Sequence, residues 1–490
     1  GGNGIIAEGT YFGENMLIGA INDVKYAAQL GEVCAKEGSM VGCNMAFAPV
    51  IDLNLNFRNP VTNTRAFSDN PELVATMGAA YVKEIQKNNM CVTIKHFPGD
   101  GVDARDHHLL TTSNSLPYKK WLSTFGYIYK TNIEAGARGL MVGHITLPDY
   151  FNHFPEGKDE YSNIPASLNP YLINNLLRGE LDYQGLIITD ATLMTGFGVH
   201  GKREDLVPRA IAAGCDMFLF NRSLDDDFNS MIKGYKNGVL TDKRLNEALT
   251  RILGLKASLN LHTQTLEELV PDFIDQELLD KHKKWSKEAA LKSITLVKDD
   301  LKILPLNVHN YKKIGVMYFG NQSMVDQIFE NLPGIKGVLL KMAMKVFSKK
   351  KSHPQMLIEA LKTKGFAPFL YDFGDIFKVL KESNMTMEEW RKQFDLIIIL
   401  SKMEHESNLT SLQVQYKAMG FDAPWFVKEV PTILISTSNP YQQYDFNMID
   451  TVINAYSPKE DVYNAIVEKL VGESPFTGTS PVSLNFEEYK

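Results

Sequence analysis

The densest run of residues able to do chemistry is Lys95 to His108, KHFPGDGVDARDHH. An apolar run ends in Lys95 and His96, and Pro98, Gly99 and Gly101 then open a loop holding Asp100, Asp103, Asp106, His107 and His108. Aspartate beside histidine suits acid–base catalysis by imidazole, ligation of a divalent ion, or simply a mobile solvated turn. Ligation needs further ligands converging from elsewhere, and no HExxH-type pattern supplies them, so no metal is expected. The second constellation is GLIITDATLM, Gly185 to Met194, in which Asp190 closes an apolar run. An unpaired buried carboxylate is costly, so Asp190 must be paired, hydrogen-bonded or reactive. The plain alternative is a helix cap for the segment that follows.

These residues need elements to position them. Five nearly continuous apolar runs, MAFAPVID (45–52), CVTIKHF (91–97), GLMVGHI (139–145), GLIITD (185–190) and DMFLF (216–220), read as parallel strands buried on both faces. Stretches with helical spacing separate them, such as Pro71 to Lys87 and Pro170 to Leu181, the latter with Asn169 as N-cap. Asp52, His96, His144 and Asp190 all fall at the C-terminal ends of strands. A (β/α)8 TIM-type barrel builds its chemistry on that rim from several strands, whereas a doubly wound sheet concentrates it at one switch point. The barrel is favoured for residues 1–265. Residues 266–300 read as a helical linker. Residues 301–490 carry strands at 313–319, 366–373, 395–401, 432–436 and 451–455 with helices between, a three-layer α/β/α sandwich.

The 490 residues are 44% hydrophobic with a formal net charge of −7, which argues against disorder and against a phosphate-neutralising nucleic-acid binder. The lysines at 341, 345 and 349–351 read as a solvated helix end and loop. No apolar stretch approaches the roughly 20 residues of a membrane span. Cys34, Cys43, Cys91 and Cys215 show neither metal-ligand nor redox spacing, and as buried thiols they favour a reducing, cytoplasmic compartment.

KHFPGDG followed by DHH, with PASLNPYLINNLLRGELDYQGLIITDA downstream, resembles glycoside hydrolase family 3, in its β-N-acetylglucosaminidase branch that recycles cell-wall peptidoglycan. FAPVIDLNLN, NPVTNTRAFSDNPELV, AIAAGCDMFLF and RLNEALTRILGLKASLNL extend the resemblance through the first domain, and SITLVKDDLKILPL and VPTILISTSNPY into the second. It implies a retaining exo-glycosidase that hydrolyses terminal β-linked N-acetylglucosamine, with Asp190 as the nucleophile forming a covalent glycosyl-enzyme. The D-x-H pair falls on Asp106 and His108, making His108 the acid/base catalyst on a mobile loop and Asp106 its orienting carboxylate. His107 breaks that spacing. Imidazole, with an ordinary pKa near 6.5, can donate and then accept a proton near neutrality, and it adds no negative charge beside Asp190. Sugar hydroxyls are implied to meet Arg65, Lys95 and His96. Asp52 and His144, on the same rim, are substrate-site residues read as more often supporting than touching.

The implied partner is a small carbohydrate, an N-acetylglucosaminide such as a muropeptide or chito-oligosaccharide, with phosphate as an alternative acceptor. No cofactor, nucleic acid or membrane span is implied. A phosphorylase or β-glucosidase on the same scaffold is the alternative, and an inactive sugar-binding protein a further one. Three departures stand out. Relatives commonly read KHFPGHG, so Asp100 alters a charge expected near the pocket entrance. The arginine expected after the opening Gly-Gly is missing from NGIIAEGTYFGENM. Glu404 and Glu406 sit where β-glucosidase members carry an acid glutamate, and would replace His108 if the D-x-H loop were only structural. The resemblance places GGNG just after a third barrel strand, so three strands are expected to precede residue 1.

Overall fold

The computed structural model describes residues 6–270, 274–321, 351–371, 382, 384–416 and 422–484. The chain forms two compact units. The first comprises Gly1–Ala289, His405–Ser411 and Ser480–Leu484; the second comprises Ala290–Glu404, Leu412–Thr479 and Asn485–Lys490. The opening GGNG and all of the lysine cluster but Lys351 lie outside the described residues. Among the described residues no helix is long and apolar enough to cross a membrane.

In the first unit five parallel strands lie side by side in chain order: β1 (Met45–Ala46), β2 (Cys91–Phe97), β3 (Gly139–Val142), β4 (Leu186–Ala191) and β5 (Met217–Leu219). Unbroken sequential order is that of a TIM-type barrel wall, with no reversal to make a switch point. The apolar runs predicted β2, β3 and β4 because both faces of these strands are covered, whereas β1 is half-buried and β5 exposed to half-buried. Met141, Leu186 and Ile188 pack with Met45, Leu219, Ile252 and Leu255. Two runs are shorter than their apolar extent predicts. The first ladder stops at Ala46, before Pro49, which has no N–H to donate, and resumes only as a bridge between Val50 and Lys95. The third stops at Val142, and Ile145–Thr146 pairs instead with Thr112–Ser113.

The helix Pro71–Lys87 starts where its sequence signals say: the Asn70 side chain accepts from the Glu72 and Leu73 N–H groups and Pro71 is the first helical residue. Asn169 likewise accepts from Tyr171 and Leu172, although the helix it caps, Tyr171–Glu180, is wound wider than an α-helix.

The two ends of the strands divide their labour. Just before β5, the fully buried Asp216 pairs with Arg178 (3.0 Å), Arg244 (2.5 Å) and Arg251 (3.2 Å) and accepts the Ile187 N–H. This lies at the N-terminal end of the strand, the face of a barrel associated with stability. Removing one partner from a buried ion cluster leaves the others uncompensated. Asp216→Ala is therefore expected to lower the unfolding free energy by about 3 kcal/mol or more. The check is the urea midpoint; a loss under about 1 kcal/mol, typical of an exposed pair, would show that the arginines are not held by this carboxylate.

The second unit is a six-stranded sheet of β6 (Thr295–Asp299), β7 (Lys313–Gly320), β8 (Ala367–Leu370), β9 (Leu396–Lys402), β10 (Thr432–Ser436) and β11 (Thr451–Asn454). Their order is β8-β7-β9-β10-β11-β6, parallel except for β6 against β11. Helices such as His353–Thr363 and Glu460–Leu470 accompany it, giving the second α/β domain. Met317, Ile397, Ile399, Leu434 and Val452 fill one face with Trp390, Phe394 and Phe446. β6 lies inside the stretch that reads as linker. Its sequence TLVKD carries charge because, as an antiparallel edge strand, it is only partly buried. Of the rest of that stretch, Leu266–Leu269 and most of Gln276–Ser293 belong to the first unit.

Candidate active site

Lys95, His96 and Asp190 sit where strands stop, and the other candidate residues lie on the segments that follow strand ends. β2 ends at Lys95, His96 and Phe97, and the chain then turns through Gly99 (φ +114°) and Gly101 (φ +96°). Both glycines are obligatory by space as well as angle. A Cβ on Gly99 would stand 2.1 Å from the Phe125 ring, and one on Gly101 would stand 1.8 Å from the Leu53 carbonyl oxygen. The loop is therefore clamped down, and its composition misleads when it suggests a mobile turn. Asn59 donates to the Asp100 carboxylate and the Asp103 carbonyl, Asn114 to the Gly99 carbonyl, and the Trp121 indole to the Pro98 carbonyl.

Asp190 ends β4 with its side chain only 14% exposed and one oxygen accepting the Ala191 N–H. Its other oxygen lies 3.9 Å from His96 Nε2 and 3.7 Å from His107 Nε2. Burial alone would raise its pKa, but the positive groups facing it, His107 and Lys95 among them, outweigh burial and hold the carboxyl far below the usual range. The group stays an anion, the state a nucleophile needs.

Asp52 is fully buried and committed. It accepts the backbone N–H of His96 (3.0 Å) and of Asp100 (2.8 Å), and its Oδ2 takes the His96 Nδ1–H at 2.7 Å. Burial opposes its charge, yet His96 and these donors keep it below the ordinary carboxylate value. Burial in turn pushes His96 down, with Asp52 opposing. Asp52 thus fixes the ring that presents Nε2 to Asp190. His144 is a brace: Nδ1 meets Ser167 Oγ at 2.8 Å and Nε2–H donates to the Ala191 carbonyl at 3.0 Å. Burial pushes it down to about 4, so it is neutral.

Burial and the Arg65 charge lower the Lys95 pKa to about 8, with Asp190 and Asp52 opposing. Arg65 closes the short turn Asn63–Arg65, and its carbonyl accepts from Asn15, within the stretch that lacks the expected arginine.

The D-x-H pair is formed. His108 Nδ1 lies 2.6 Å from Asp106 Oδ1, and the same oxygen takes the His108 backbone N–H at 2.7 Å. Burial would raise Asp106, but His108 and the Asn408 N–H lower it, so the carboxylate is charged. His108 is 21% exposed at its side chain, whereas His107 is sealed.

Sequence reasoning underrated His107 and misplaced Asp100. Asp100 is buried rather than at an entrance, with Oδ2 at 3.1 Å from His107 Nδ1. Burial opposes a charged His107, but Asp100, Asp190 and Asp106 together raise its pKa. Asp100, which departs from the family pattern, thus faces the buried His107. The position of His107 inside D-x-H was the available signal.

A second omission lies far along the chain. Residues 405–411 belong to the first unit, immediately after β9. Ser407 Oγ meets His108 Nε2 at 3.1 Å, the Asn408 N–H donates to Asp106 Oδ2 at 2.7 Å, and His405 Nδ1 meets Thr64 Oγ1 at 2.8 Å. Desolvation and the Arg65 charge push His405 down to about 3. Glu404 and Glu406 mark the right segment, but Glu404 pairs with Lys402 at 2.5 Å and Glu406 is exposed.

Residues 1–255 match the family described as the glycosyl hydrolase family 3 N terminal domain. The chain belongs to glycosyl hydrolase family 3. It is 36% identical over 484 residues to a beta-N-acetylglucosaminidase/beta-glucosidase of Cellulomonas fimi, covering 98% of this chain and 82% of the relative. A beta-hexosaminidase A of Pseudoalteromonas piscicida is 32% identical over 320 residues, 61% of this chain and 52% of that protein. Among solved structures, the beta-glucoside phosphorylase BglX superposes with TM-score 0.88 at 37% identity, covering 99% of this chain and 82% of that one. A family 3 beta-N-acetylglucosaminidase from Paenibacillus sp. str. FPU-7 shares the fold, at TM-score 0.73, 22% identity and coverage of 96% and 82%. This family 3 chain is a glycoside hydrolase, in a two-domain form.

Proposed function

We propose that this enzyme is a retaining exo-glycosidase that removes terminal β-linked N-acetylglucosamine. The observation that carries the reading is the Asp106–His108 pair, joined at 2.6 Å on the loop leaving β2, on the same strand-end rim as an Asp190 kept anionic by the positive groups facing it. Asp190 attacks the anomeric carbon while His108 protonates the leaving oxygen, giving a covalent glycosyl-enzyme. Water, deprotonated by His108, then releases the sugar with retained configuration. Asp106 orients the imidazole and offsets its charge. Lys95, His96 and Arg65 are the groups proposed to hold the sugar hydroxyls, and Asp52 acts through His96. Peptidoglycan or chitin fragments fit as natural substrates.

A second reading has its own support. An imidazole acid adds no negative charge beside the glycosyl-enzyme, which lets an anionic acceptor approach, and the likeness to a beta-glucoside phosphorylase points the same way. One experiment separates them: NMR of the products from chitobiose and from a β-glucoside, with and without phosphate. Free N-acetylglucosamine appearing first as the β-anomer, indifferent to phosphate, is the expected result. A sugar 1-phosphate as main product would replace hydrolysis by phosphorolysis, and a preference for the glucoside would move the substrate.

A further inference from the structure

One hydroxyl of the first unit stands where the glycosidase reaction has no part for it. Ser407 Oγ lies 3.1 Å from His108 Nε2, and His108 Nδ1 lies 2.6 Å from Asp106 Oδ1. The Asp106 carboxylate is ionised and can only accept, so the Nδ1 proton points to it and Nε2 is left bare to take the Ser407 O–H. This is a serine, its base and the carboxylate that orients the base, with the serine–base contact inside the roughly 2.6–3.2 Å of an activated nucleophile. The same carboxylate also seats the serine, because Asp106 Oδ2 accepts the N–H of Asn408, the next residue, at 2.7 Å. Asn408 turns the chain sharply (φ +71°), and His405 ties the other side of the turn to Thr64 Oγ1 at 2.8 Å. The turn leaves Ser407 exposed, and among the described residues its N–H has no acceptor. The nucleophile's own N–H is one of the donors that hold the oxyanion in a serine hydrolase. Ser167 shows the contrast. It meets His144 at 2.8 Å but is buried, and the second nitrogen of His144 goes to the Ala191 carbonyl instead of a carboxylate.

We propose that Ser407, His108 and Asp106 form a second catalytic centre, a serine esterase triad that cleaves carboxylic esters, the acetyl ester of a sugar hydroxyl in the first place. Ser407 Oγ adds to the ester carbonyl carbon while His108 Nε2 takes the hydroxyl proton. The tetrahedral intermediate then collapses. The bond from that carbon to the alcohol oxygen breaks, and His108 gives its proton to the departing alcohol, leaving acetyl-Ser407. Water adds next and hands a proton to His108. The bond from carbon to Oγ breaks, Ser407 recovers the proton, and ester and water have become alcohol and acetic acid. Asp106 stays ionised throughout and offsets the imidazolium. The triad rests on the geometry of these three residues. Only the choice of a sugar as the alcohol rests on the glycosidase reading, in which His108 already serves a departing sugar oxygen.

The test offers the full chain p-nitrophenyl acetate and an O-acetylated N-acetylglucosamine, beside a nitrophenyl glycoside. A fluorophosphonate, which marks activated serines, is mapped by peptide mass. Acetate release from both esters and a fluorophosphonate adduct on Ser407 are expected. In Ser407→Ala the ratio of ester to glycoside turnover should fall by roughly 10²-fold or more. His108→Ala should lose the adduct as well, since the hydroxyl then has no base. Asp190→Asn should still cleave the esters while failing on the glycoside. A wild-type chain that turns over glycosides but takes no adduct on Ser407 would overturn the triad, and that result needs no variant to fold. So would a sugar ester left intact, or a turnover ratio unchanged in a folded Ser407→Ala protein. Ester cleavage with the Ser407 adduct in a wild-type chain inert to glycosides would instead remove the glycosidase reading and leave the triad standing.

Discussion

Asp190→Asn will lower turnover by roughly 10⁴-fold or more, because the amide is the size of the carboxylate but cannot form the glycosyl ester. That loss corresponds to about 5 kcal/mol of transition-state stabilisation. The substitution is chosen to keep the pocket intact, since the amide oxygen still accepts the Ala191 N–H now bound by Oδ1. What it removes is the negative charge that His96, His107 and Lys95 face. Turnover of a nitrophenyl N-acetylglucosaminide, a thermal melt and sugar binding by calorimetry together check it. A folded protein that binds sugar without turning it over is expected. Wild-type activity in the variant would end the assignment of Asp190, and a wild-type chain that binds sugar without turnover would make the protein a lectin-like binder.

His108→Ala should divide substrates by leaving group. An acid catalyst contributes typically 10²–10⁴-fold where the departing oxygen needs its proton, and little where the leaving group is already acidic. The expected result is a loss of roughly 10³-fold on chitobiose against roughly ten-fold or less on a dinitrophenyl glycoside. Asp106→Asn should follow the same pattern more mildly, because the amide keeps the acceptor for the His108 N–H but loses the charge that supports an imidazolium. Glu404→Ala and Glu406→Ala should leave both substrates unaffected, since Glu404 is spent on Lys402 and Glu406 is exposed. If Glu404→Ala or Glu406→Ala shows the leaving-group split instead, the acid is a glutamate and the D-x-H pair is a structural element.

Much of the fold was legible because its signals are local. A strand covered on both faces must be apolar throughout, so CVTIKHF and GLIITD announce themselves, and a cap such as Asn70 names the start of its helix. The edge strand β6 escaped because partial burial permits Lys298 and Asp299 in TLVKD, which then resembles the charged helix before it. Asp100 was misplaced for a related reason. Polar composition predicts exposure, yet Asp100 is buried with Oδ1 held by Asn59 and the Gly101 N–H and Oδ2 turned toward His107, and no pattern in the sequence reveals those neighbours.

The sequence by itself determined the family, the strand ends and the candidate residues gathered there, because strand burial and the D-x-H spacing are written within a few residues. Tertiary structure decided what surrounds them. It turned Asp52 and His144 into supports, paired Asp100 with His107, and brought Ser407 and Asn408 some 300 residues along the chain onto the His108–Asp106 pair. It also aimed two imidazoles at one carboxylate oxygen. Such convergence depends on where separate strands end in space, and charge acts through that distance rather than through the spacing of residues along the chain.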